Sequence, residues 1–119
     1  MPTHYFIDAK NRLVRTTFSG VLTRPEVLAH AVKVGHDPAF HRGFSELVDL
    51  TQAETIDLTA SDFRELQIVD PFSPDAKRAF LVRGRTHIYG LIRMFQVLRD
   101  GTAKIEIFDS LEEALLWLR

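Results

Sequence analysis

Apolar spacing along the chain divides it into nine elements. Residues 4–8 alternate, Ala9-Lys10-Asn11 forms a polar turn, and residues 12–19 put Val14, Thr16 and Phe18 on one face with Arg15 and Thr17 opposite. A hairpin with one buried face is expected there. Thr23-Arg24-Pro25-Glu26 has the form of a capping box with proline in the first turn, and Val27, Leu28, Ala31, Val32 and Val34 make a helical stripe that ends near Gly35. Residues 44–50 predict a strand covered on both sides, since Val48 and Leu50 point one way and Leu47 the other. A helix should open at Thr59-Ala60-Ser61-Asp62 and run to about Val69, with Phe63 and Leu66 inward. The unbroken run Ala79-Phe80-Leu81-Val82 marks a second central strand within residues 78–83.

The remaining pattern is equally regular. Ile88, Leu91, Ile92, Phe95 and Leu98 lie on one face of a helix from Thr86, Ile105 and Ile107 alternate in an edge strand over residues 104–108, and Ser110-Leu111-Glu112-Glu113 caps a closing helix with Leu111, Ala114, Leu115 and Leu118 inward. The order is ββαβαβαβα. Helical crossovers between the later strands make them mostly parallel, so the fold class is α/β: a single mixed five-stranded sheet with packed helices, in one domain over residues 1–119.

Composition narrows the function classes. Fifteen Lys and Arg against sixteen Asp and Glu give a net charge of -1, which removes the electrostatic case for generic nucleic-acid binding. No cysteine is present, so thiol nucleophiles and cysteine-ligated metals are excluded. No apolar run approaches a membrane span and no leader pattern opens the sequence, so a soluble, cytoplasmic domain without membrane insertion is expected. The net charge conceals a split: residues 44–75 hold eight acids and one base, and residues 76–104 seven bases and one acid. Such neighbours either pair across the surface or present complementary faces to a partner.

Several short motifs in order carry a family resemblance: Asp37-Pro38-Ala39-Phe40, Gly43-Phe44, Leu47-Val48-Asp49-Leu50-Thr51, Thr55-Ile56-Asp57-Leu58-Thr59-Ala60, Phe72-Ser73-Pro74, Gly90 with Arg93-Met94-Phe95, and Phe108 with Leu111-Glu112-Glu113-Ala114 and Trp117-Leu118. Over nearly its full length the chain resembles the SpoIIAA-like (STAS/SEC14-like) group of small bacterial proteins, distantly similar to anti-sigma-factor antagonists. The resemblance implies a STAS-like ββαβαβαβα fold. In the antagonists a serine directly after the Ile-Asp pair accepts a phosphate that releases the partner; here that position is Leu58, so the phospho-switch does not carry over. Thr59 and Ser61 keep hydroxyls at the helix start, where N-capping needs the same residue types and no kinase.

Two functional readings follow. The first is a non-enzymatic regulatory or interaction domain that binds a protein partner through Asp49, Asp57, Leu58, Thr59, Ser61 and Asp62. The same reading includes a homodimer, because Met94 and Val97 widen the apolar arc of the helix from Thr86. The second is a carrier or sensor that holds a small apolar or lipid-like anion near Phe72, Arg83, Tyr89, Arg93 and Met94, as the SEC14 side of the resemblance implies. No catalytic constellation is recognisable, and Gly84, Gly90 and Gly101 form no phosphate-cradling loop. His36, Asp37 and His41 lie close together, but a turn at Asp37-Pro38 and the lack of a helical His-x-x-x-His argue against a metal, and no cofactor is expected.

Overall fold

A computed structural model describes residues 3–98 and 104–119, and the side chain of Leu98 lies outside the description. The expected inward position of Leu98 and the candidate loop glycine Gly101 therefore fall outside the described residues. Strands β1 (Thr3–Asp8) and β2 (Leu13–Thr23) form the hairpin, followed by α1 (Arg24–Gly35), β3 (Ser45–Asp57), α2 (Ala60–Val69), β4 (Lys77–Leu81), α3 (Thr86–Leu98), β5 (Lys104–Phe108) and α4 (Leu111–Leu118). The sheet order is β1-β2-β3-β4-β5, antiparallel in the first pair and parallel in the other three. This is the element order and mixed five-stranded sheet that the apolar pattern predicts.

Two strands run well past their expected ends. β3 continues seven residues past Leu50, through a polar stretch that carries little strand signal of its own, because β2 pairs with it as far as Thr23↔Asp57. β2 reaches that length by passing through Gly20, whose φ of 70° disfavours any side chain and coincides with a break in register. The expected capping box at Thr23 does not form: its hydroxyl donates to the Glu26 carboxylate, and no side-chain cap reaches the backbone. At α2 the box is complete, with Thr59 Oγ1 accepting from Asp62 N–H and the Asp62 carboxylate accepting from Thr59 N–H.

Helices cover both sheet faces unequally. One face carries Phe18, Leu22, Val48, Leu50, Ile56, Phe80 and Ile105, packed beneath side chains of α2 and α3 with Val27 of α1 at the margin. The other is closed by α4, where Ala114 meets Leu13, Leu47 and Ala79, and Trp117 packs beside Phe108. A smaller cluster of Val14, Val34, Phe44, Phe72 and Ala76 joins the α1 end to the loop before β4. Gly35 packs closely there: a Cβ at this position would lie 3.2 Å from Pro71 Cβ, tighter than an ordinary contact.

Candidate functional site

The helix α1 turns most of its expected stripe inward but not Val32. Val32 is 52% exposed, whereas His30 is buried and lies three residues after Val27 and four before Val34, both of which face inward. A histidine therefore occupies a core position. On β3, the period-two phase that turns Val48 and Leu50 toward the helices also turns Glu46 inward, where it is only 2% exposed. Two polar residues thus enter the same layer from facing elements.

They meet in a network. Glu46 Oε2 accepts the Thr16 hydroxyl at 2.9 Å and faces His30 Nε2 at 3.3 Å, while Glu46 Oε1 accepts from Arg78 Nη2 at 2.8 Å and Nε at 3.3 Å. Arg78, opposite Glu46 in the β3–β4 register, also donates through Nη1 to Asp70 and stacks its guanidinium on Phe72 with 4.5 Å to the ring centre. Burial alone would push the Glu46 carboxyl upward. Arg78, together with the hydrogen bond and charge of His30, outweighs that and holds it at about 2. The pairing of Arg78 with Glu46 and Asp70 also shows how one basic residue of the second charged segment is used: internally, against acids of the first.

This network closes one end of a cavity of about 90 Å³. Its walls are otherwise almost wholly apolar, with Phe18, Val48, Leu50 and Phe80 from the sheet, Val27, Ala31 and Val34 from α1, Phe63 and Leu66 from α2, and Ile92 and Phe95 from α3. Its volume is several times the roughly 10–15 Å³ that admits one water. An apolar room with a few convergent polar groups at one end is the usual anatomy of a small-molecule site.

The structure distributes the sequence-derived candidates unevenly. Of the five expected ligand contacts only Phe72 lines the cavity. Met94 packs into the core from α3, Tyr89 and Arg93 are exposed, and Arg93 donates to Gln96 on its own helix. Arg83 lies exposed after β4 with a φ of 47°. Of the expected partner contacts, Asp57, Thr59 and Ser61 are exposed around the β3–α2 turn, and Asp62 is tied into the cap and an ion pair with Arg24. Asp49 sits in mid-strand rather than at the strand's end, its Oδ1 accepting from the Thr51 amide and hydroxyl, and Leu58 faces inward and lines the cavity. Among the described residues no group of three side chains is arranged to hold a metal ion; Asp37 accepts from the Tyr5 hydroxyl and the Ala39 amide.

Comparison with known proteins adds a scaffold. No family model and no curated protein matches the sequence. Among solved structures, an uncharacterised protein of the DUF3478 family with a SpoIIAA-like fold, from Shewanella loihica PV-4, superposes with a TM-score of 0.67 at 16% identity, covering 98% of this chain and 94% of that one. The fold is SpoIIAA-like. The unphosphorylated anti-sigma factor antagonist SpoIIAA itself superposes with a TM-score of 0.52 at 15% identity, over 96% of this chain and 94% of that one. No helix among the described residues is long and apolar enough to cross a membrane.

Proposed function

We propose that this chain is a non-enzymatic ligand-binding domain on a SpoIIAA-like scaffold, a carrier or sensor that takes a small, mainly apolar molecule between the sheet and helices α1 to α3. The observation that carries this reading is the cavity itself, open space in a core layer with a charged network at one end. Protein interiors are normally packed to crystal-like density, and a void lined by apolar side chains forfeits dispersion contacts that a ligand restores. Native mass spectrometry of gently purified protein tests it. A reproducible small-molecule adduct is expected, and Ala31→Trp, which fills the room from α1, should lose it. Bare wild-type protein that also takes up no added apolar molecule contradicts the reading.

A second reading is a regulatory domain whose exposed β3–α2 turn, with Asp57, Thr59 and Ser61, meets a protein partner. Its support is the likeness to a structure described as an anti-sigma factor antagonist, together with the exposure of those side chains. The two readings are compatible, because Leu58 on the same turn lines the cavity. A partner recovered by pull-down with the wild type but not with an Asp57→Lys, Ser61→Lys variant is the expected outcome for this surface.

A further inference from the structure

Helix α4 does not span the sheet face it covers. Its eight residues pack over β3, β4 and β5 and reach β2 at Leu13, leaving the margin formed by the β1–β2 hairpin bare. Pairing across that hairpin sets Phe6 opposite Arg15 and Asp8 opposite Leu13, and opposed residues share a face. Phe6 is 57% exposed there. Between the flank of α4 and the hairpin the step leaves a recess of about 380 Å³, against about 90 Å³ for the apolar cavity on the other face. Small-molecule sites occupy roughly 300–1,000 Å³.

The walls of the recess divide by chemistry. Leu13, Leu115 and Leu118 give it an apolar side, and the two leucines of α4 keep part of their surface open to it. Opposite them stand two guanidinium groups, Arg15 and Arg119, and one carboxylate, Asp8. Both Asp8 oxygens are engaged by its own turn, Oδ1 accepting from the Asn11 amide at 3.1 Å and Oδ2 from Asn11 Nδ2 at 2.7 Å. Those bonds hold the Asp8 carboxyl below its ordinary range, with Lys10 and Arg15 acting in the same direction through their charge. Among the described residues neither Arg15 nor Arg119 forms a side-chain hydrogen bond or an ion pair. Two cations thus face one carboxylate that is already hydrogen-bonded elsewhere. The C-terminal end of α4 would repel an anion, but Lys77 Nζ donates to the Trp117 and Arg119 carbonyls there.

We propose that this recess is a second binding site, for a small molecule with one carboxylate and a short apolar body, the head held by Arg15 and Arg119 and the body laid on Leu13, Leu115 and Leu118. None of these residues lines the cavity under α1 to α3, so the two sites stand or fall separately. The full chain, isotope-labelled, is titrated near neutral pH with hexanoate, hexylamine, hexan-1-ol and acetate, following the methyl groups of Leu13, Leu115 and Leu118 and the Nε–H of Arg15. Hexanoate should give saturable shifts at all four groups, binding at least about tenfold more tightly than hexylamine and at least about threefold more tightly than hexan-1-ol or acetate. Arg15→Gln and Arg119→Gln should each weaken hexanoate by at least about threefold and leave hexan-1-ol unchanged. The second variant carries the test if the first does not fold. Any of the other three probes binding as tightly as hexanoate overturns the ligand class. Shifts that do not saturate, or that fall on Val48, Leu50 and Ile92 instead, overturn the site, and neither result bears on the uptake of an apolar guest beneath α1 to α3.

Discussion

The two faces of the sheet solve the same burial problem differently. Against α4 two small side chains, Ala79 and Ala114, meet at full burial, with Leu13, Leu47, Phe108 and Trp117 packed around them. Against α1, α2 and α3 the sheet presents large rings and branched chains, yet leaves an apolar cavity beside a buried ion network. A protein of 119 residues has little core to spare. The difference teaches where the chemistry of the open space changes: beside α4 it is a half-polar recess lined by Asp8, Arg15, Leu115 and Arg119, whereas under α1 to α3 it is almost wholly apolar.

The strongest way to break this contrast is to remove Arg78. Arg78→Ala leaves Glu46 and Asp70 buried without their shared cation, and denaturant unfolding should show a loss of about 3–5 kcal/mol. A smaller loss, under about 1 kcal/mol, would mean that the network is solvated in the folded protein and that this face is no different from an ordinary surface.

Acid should expose the same network. Glu46 has a folded value of about 2 against an ordinary 4.5, so its contribution to stability is complete above about pH 4.5 and is lost as the pH falls toward 2. Stability measured against pH for the wild type and Glu46→Gln should therefore diverge at neutral pH and converge across that window. Parallel curves would contradict the assignment of a strongly held carboxylate.

A paired substitution sharpens the packing side of the comparison at lower cost. Ala114→Leu on the α4 face should destabilise by about 1–3 kcal/mol, because Ala114 is fully buried against Leu13, Leu47 and Ala79. Ala31→Leu on α1 projects into the cavity and should change stability by less than about 1 kcal/mol, or raise it. Equal penalties from thermal unfolding would remove the packing difference between the faces.

Much of the scaffold was legible in the apolar pattern, and the site was legible in part. The positions of the helices follow from stripes such as Ile88, Ile92 and Phe95, all buried as their spacing requires. The second half of β3 carries no such signal, because Thr51-Gln52-Ala53-Glu54-Thr55 is locally a loop-like sequence and its pairing with β2 holds it extended. Glu46 shares the phase of Val48 and Leu50, and His30 the phase of Val27 and Val34, so both inward positions could have been found. What could not be read is why a charge belongs there. The answer is Arg78, thirty-two residues further on and brought opposite Glu46 only by the β3–β4 register. Among the expected ligand residues, Phe72 lines the cavity, while Tyr89 and Arg93 fall on the outer side of α3 because the helix turns Ile88, Ile92 and Phe95 inward.

The central claim is that open space on one face of the sheet receives an apolar guest. Methyl-resolved NMR under increasing xenon pressure tests it directly, since xenon enters apolar cavities without needing a polar contact. Saturable shifts are predicted for Val48, Leu50 and Ile92, with none for Leu47 and Ala114 beneath α4. Linear, non-saturating shifts of the same size on both faces would contradict it.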